Sequence, residues 1–207
     1  MKQTHYAIVK ILAALLLVIV SAPGCTATVP QTSARFVQDG ELPTLRRDAA
    51  QQEAAAHVFC YYNTKLGKAR AEEYARYVME AARRYDIAPS LIAAMIVKES
   101  HAKANARSKY AVGLMQVYWK LHRNTIKKQF PHITTEKALM EPRNNIMVGT
   151  WIFSRYLKSC GGNEKKALQR YLGANTGRYV SQVMQYRKRF NERMNFNLQR
   201  HSKRSAA

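Results

Sequence analysis

Apolar residues along this chain recur mostly at intervals of three and four, the spacing of helices that bury one face. Tyr74, Tyr77, Val78, Ala81 and Tyr85 form one such stripe. Pro89, Leu91, Ile92, Met95 and Ile96 form the next, with a proline tolerated in its first turn. Ile146, Ile152, Phe153, Tyr156 and Leu157 mark a later helix, stopped by Gly161 and Gly162. Asn163 is placed to cap a short helix through Ala167, Leu168 and Tyr171. Thr176 opens a last one through Tyr179, Val180, Val183 and Met184. No alternating strand pattern of useful length and no internal repeat interrupts them. The pattern predicts an all-α domain over residues 65–195.

The flanks read differently. Residues 25–64 hold few periodic apolar positions and contain Pro30, Gly40 and Pro43, so a linker is expected there. Residues 196–207 are expected to form a basic tail that frays. Ahead of the linker, Lys2 and Lys10 precede an unbroken apolar run from Ile11 to Val20, and the small residues of "SAPGC" follow. That order is a secretory signal over residues 1–24. A membrane span needs about 20 apolar residues, so a retained anchor is the weaker reading.

Charge enters next. The chain of 207 residues carries a formal net charge of +21, which makes nucleic acid the first partner to consider. Export turns the expectation away from it, and no nucleic-acid-reading motif is present. Without residues 1–24 there remain 32 basic against 13 acidic residues, a balance of +19. In an envelope compartment that charge suits lipid headgroups, lipopolysaccharide phosphates or cell-wall carboxylates, or simply a solvated surface.

The three cysteines divide unequally. Cys25 follows Gly24 at the end of the signal, where a bacterial lipoprotein carries its acylated cysteine; cleavage after Ala27 is the competing outcome. The expected location is periplasmic, tethered by lipid, with the outer membrane favoured. Cys60 and Cys160 are then an even pair in an oxidising compartment, either bonded as a disulfide or buried as separate thiols. No His/Cys cluster has zinc spacing, so neither metal nor cofactor is assigned.

One carboxylate stands out. Glu99 lies seven positions after Ile92, four after Met95 and three after Ile96, and so continues an apolar stripe. It also falls in the last turn, where the helix dipole disfavours an anion. Burial and dipole both push its pKa up, toward the protonated form that a general acid requires. The alternatives are a side chain turned outward at the helix end, or one paired with Lys103.

Glu99-Ser100, then Ser108, then Gly113-Leu114-Met115-Gln116 resemble the first two motifs of the soluble lytic transglycosylase domain, related to goose-type lysozymes. Downstream, "EPRNNIMVGTWIFSRYLKSCGGNEKKALQRYLGANTGRYVSQVM" resembles the rest of that family's core. The resemblance covers residues 70–190. It implies a compact lysozyme-like fold and cleavage of the β-1,4 bond between N-acetylmuramic acid and N-acetylglucosamine in peptidoglycan. The muramic C6 hydroxyl would close onto C1 and leave a 1,6-anhydro end. In that likeness Glu99 matches the acid/base, and Ser108 a loop serine that contacts substrate or steadies the glutamate. Met115 and Gln116 match the residues that shape the sugar subsite, and Tyr171 the tyrosine whose hydroxyl approaches the acid. Two departures are visible: the loop from Glu99 to Gly113 is one residue shorter than the common form, and Leu172 stands where many members have asparagine.

Ordinary glycosidases use two carboxyl groups. Here the aspartates are Asp39, Asp48 and Asp86, none of them in the motif loop, which suits a mechanism with one carboxylate. Two other readings stay open: a hydrolysing lysozyme of the same fold, and a weakly active wall-binding module that partners a secretion or conjugation apparatus. The signal reading makes its own prediction. Growth with a labelled fatty acid should mark the wild-type protein and leave Cys25→Ser unmarked; an unlabelled wild type would refute the anchor.

Overall fold

The computed structural model describes residues 42–205. The signal segment, Cys25 and the first part of the expected linker lie outside them. The described residues form eight helices, with no strand beyond two isolated bridges. In order these are α1 (Leu42–Tyr62), α2 (Lys68–Tyr85), α3 (Pro89–Ser100), α4 (Trp119–Gln129), α5 (Glu136–Met140), α6 (Pro142–Ser159), α7 (Glu164–Leu172) and α8 (Gly177–Ser205). The protein is all-α, as its apolar spacing implies.

The centre is α3. Leu91 through Val97 are all buried, so this helix is apolar on every side and must be surrounded. It contacts α1, α2 and α8, with α1 also packed against both α2 and α8. Pro89 sits in its first turn as expected. At the far end of the chain, Asn163 caps α7 by accepting a hydrogen bond from the Lys166 amide at 3.0 Å. Gly161 and Gly162, at φ 62° and 80°, carry the chain out of α6 through left-handed backbone that β-carbons disfavour.

Two expectations about the flanks need correction. Residues 42–62, expected to belong to a linker, are a helix whose Ala50, Ala54, Ala55, Val58 and Phe59 are fully buried. Three of those five are alanines, which favour helix strongly but add little apolar contrast, so the stripe is faint in sequence. Nor does the chain fray after residue 195, since α8 continues to Ser205. Asn197 is 1% exposed and donates its side-chain amide to the Ala50 carbonyl at 3.3 Å, while Arg200 pairs with Glu53. The two corrections are one: the end of α8 has α1 to lie against.

The cysteines also resolve. Cys60 and Cys160 are both free; the Cys60 thiol points at the Leu66 carbonyl at 3.7 Å, and Cys160 caps the end of α6. Among the described residues no helix is long and apolar enough to cross a membrane, and no cluster of His, Cys, Asp and Glu could hold a metal ion.

If α1 is part of the core, truncating Phe59 must be felt by the whole domain. Phe59→Ala should cost roughly 3–5 kcal/mol in denaturant unfolding. A linker residue would cost next to nothing.

Candidate active site

The site grows from the C-terminal end of α3. Glu99 stands in the last turn, and His101 and Ala102 then take left-handed backbone at φ 52° and 56° to turn the chain away. Neither is glycine, so the turn is strained and must be held by its surroundings. One hold comes from Asn63, just past α1, whose side-chain amide donates to the Ala102 carbonyl at 3.2 Å. Another is Ser100, buried beside Glu99, whose hydroxyl lies 2.8 Å from the Leu114 carbonyl.

That carbonyl belongs to a tight turn, Gly113 to Gln116, flanked by reciprocal backbone hydrogen bonds between Val112 and Val117 of 3.1 and 3.0 Å. Asn145 on α6 fastens it. Fully buried, its side chain accepts from the Met115 amide at 2.8 Å and donates to the carbonyls of Val112 and Leu139 at 3.0 and 3.1 Å. The amide approaches so closely that a β-carbon on Gly113 would meet it at 2.2 Å, and φ there is +80°. Gln116 closes the turn at φ 47° and commits its side-chain nitrogen to the carbonyls of Ala106 and Gly113.

Beside Glu99 opens a cleft of about 380 Å³, walled by the 108–118 segment, α4, α6 and the end of α7. Tyr110, Tyr118 and Leu121 form one side, and Tyr156, Arg170 and Tyr171 the other. Apart from Glu99, no carboxylate lines it among the described residues. His122 also lines it, its pKa lowered by burial and then by Arg155, which favours the neutral imidazole.

The electrostatics of Glu99 follow from this setting. Burial raises its pKa above the usual carboxyl range, and it outweighs two opposing influences: a hydrogen bond from the Tyr179 hydroxyl and the nearby Lys98 ammonium. Tyr179, 4% exposed in the first turn of α8, has its own pKa raised by burial and by the Glu99 carboxylate. The phenol therefore keeps its proton and serves as a fixed donor to Glu99.

The expected site residues land as follows. Glu99, Ser108, Gln116 and Tyr171 line one cleft. Ser108 makes no hydrogen bond to Glu99; its hydroxyl accepts from the amides of Tyr110 and Ala111 at 3.4 and 3.1 Å and so shapes its own loop. Met115 does not line the cleft. Its side chain is fully buried, so near Gly149 that a β-carbon there would fall 2.6 Å from the sulfur, and it is the Met115 backbone that acts.

Tyr171 shares the cleft with Glu99 without a hydrogen bond to it. Its hydroxyl donates to the Met115 carbonyl at 2.9 Å, while Tyr179 makes the hydrogen bond to Glu99. Burial, and then the charge of Glu99, still push the Tyr171 phenol well above its ordinary range, so it lies within electrostatic reach of the acid. A sequence signal for Tyr179 did exist. It shares a stripe with Val183 and Phe190, so its hydroxyl had to find a buried acceptor, and Glu99 was the carboxylate on an apolar face.

With this geometry in place, a family model described as the Transglycosylase SLT domain matches residues 76–196. No solved structure matches the chain.

The raised pKa of Glu99 has a signed consequence for stability. In the window above its unfolded value and up to its folded one, the native state holds a proton that the unfolded state has lost, so stability falls as pH rises through that window. Glu99→Gln has no such loss. The variant should unfold at a higher temperature than wild type at pH 7, and the gap should shrink by pH 4; a pH-independent gap would contradict the burial of the acid.

Proposed function

The chain belongs to the transglycosylase SLT domain family, and from that we propose that it is a lytic transglycosylase with Glu99 as its one acid/base. Membership makes it a transglycosylase-type enzyme acting on peptidoglycan, and the finer reading rests on one observation: the cleft holds a single carboxylate. Hydrolysis with two carboxylates needs a second group to activate water or to attack C1, at about 5–9.5 Å from the first. No residue lining this cleft supplies it.

A single acid suffices when the substrate brings its own nucleophile. Protonated Glu99 gives its proton to the glycosidic oxygen as the bond from that oxygen to the muramic C1 breaks. The resulting carboxylate takes the proton of the C6 hydroxyl as that oxygen bonds to C1. One bond breaks and one forms, Glu99 ends protonated as it began, and no water enters. The neighbourhood suits both halves. Burial favours the protonated form of the starting acid, and the Tyr179 hydroxyl steadies the carboxylate in between.

The other cleft groups take positioning roles in this reading. Tyr171 and Asn145 hold the Met115 carbonyl and amide, and so the turn that carries Gln116. Tyr110 and Tyr118, with ring centroids 5.5 Å apart, offer apolar faces to a sugar ring. Action on peptidoglycan calls for a location outside the cytoplasm. The signal over residues 1–24 and a lipid on Cys25 would provide it, at the outer membrane in our reading.

Digestion of purified sacculi tests the mechanism. The wild type should release muropeptides lighter by one water than lysozyme products, and Glu99→Gln should lose activity at or beyond the top of the roughly 10²–10⁴-fold range of general acid–base catalysis. Tyr179→Phe should cost less, because the phenol orients the acid and transfers no proton. Reducing-end muramic acid as the main product would make the enzyme a hydrolase, and substantial activity in Glu99→Gln would place the acid elsewhere.

A further inference from the structure

A second recess, of about 500 Å³, lies where α1, α2 and α8 meet. Its floor is the α1 stripe of Glu53, His57 and Cys60. Its sides are basic: Lys68 and Arg76 come from α2, and Arg193 and Arg200 from α8. These four cations face two carboxylates, Glu53 and Glu72, so the recess holds a surplus of two positive charges. His57 adds none, since burial and then Arg193 and Arg189 lower its pKa.

Two of the cations are already engaged. Lys68 lies 3.8 Å from Glu72, and Arg200 pairs with Glu53. The other two are not. Neither Arg76 nor Arg193 has an ion-pair partner among the described residues. The Nε of Arg193 is moreover buried without any hydrogen-bond acceptor, and its guanidinium is steadied 4.9 Å from the centre of the Phe196 ring. A buried donor left without an acceptor and like charges gathered in one hollow are both unfavourable, and an anion relieves both.

The charge surplus selects the anion. A carboxylate would cancel half of it. A phosphate monoester carries about −1.5 to −2 at neutral pH and three acceptor oxygens, which guanidinium forks bind in pairs. The volume is in the range of small-molecule sites, large enough for an organic group beyond the phosphate. We propose that this recess binds a phosphate monoester, gripped by Arg76 and Arg193. Such a group can come from a soluble ester or from the headgroup of a phosphatidic acid-type lipid.

Calorimetric titration of the full chain with glycerol phosphate should give saturable one-site binding. Arg76→Gln and Arg193→Gln should each weaken it by about tenfold or more, in line with the loss of one charge-assisted hydrogen bond. Glu99→Gln, in the separate cleft, should bind as wild type does. Thermal unfolding of each variant establishes that it is folded; Arg76 is exposed, so its variant carries the test if Arg193→Gln does not fold. Vesicles of phosphatidylcholine with phosphatidic acid identify the source. Vesicle binding lost in Arg76→Gln assigns the lipid headgroup, while vesicle binding unmoved beside lost glycerol phosphate binding assigns a soluble ester. The proposal is overturned if glycerol phosphate and the vesicles both fail to bind. It is equally overturned if removing Lys165 and Lys166 of α7, which do not line the recess, weakens binding as much, because general charge would then explain it.

Discussion

An apolar helix with water on no side ends in a carboxylic acid, and most of this structure can be understood as the means of keeping that arrangement. Helix α3 is buried from Leu91 to Val97, so Glu99 leaves the core with its solvation already largely removed. A buried charge without partners is costly, and a protein has two remedies: neutralise it or give it a donor. Both are present. Burial favours the protonated form, and the Tyr179 hydroxyl receives the carboxylate when the proton is gone. The acid can therefore exist in either state without leaving its place.

The surroundings of Glu99 divide the work in an orderly way. Tyr179 touches the acid itself, whereas Tyr171, Asn145 and Ser100 touch the backbone of the neighbouring turn. Every polar atom they bury is matched to a carbonyl, an amide or the carboxylate. The left-handed residues His101, Ala102 and Gln116 cluster at the same place, so local strain is concentrated where the cleft is formed and is balanced by these contacts. The second recess is built to another rule. There Arg193 keeps a buried nitrogen without an acceptor, a condition the first site avoids.

Much of this was legible in the sequence because helices announce themselves by spacing. The stripes around Tyr74, Leu91 and Ile152, the cap at Asn163 and the place of Glu99 on an apolar face all follow from periods of three and four. What spacing cannot convey is which side chain meets which across helices. Tyr171 and Tyr179 both lie near Glu99, and only the approach of α8 decides that Tyr179 makes the bond. Helix α4 buries Ile126 alone, so its stripe was too thin to read. Helix α1 hid behind alanines, and with α1 unread the end of α8 had nothing visible to pack on.

That alanine face also sets how near its neighbour can lie. Ala50, Ala54 and Ala55 are short, so α8 can come close enough for the Asn197 amide to reach the Ala50 carbonyl. Further along, Val58 and Phe59 are fully buried, and Asn63 just beyond them holds the turn that follows Glu99 with its side-chain amide. One helix thus joins the alanine contact near its start to the turn beyond Glu99 at its end, where Asn63 follows Tyr62.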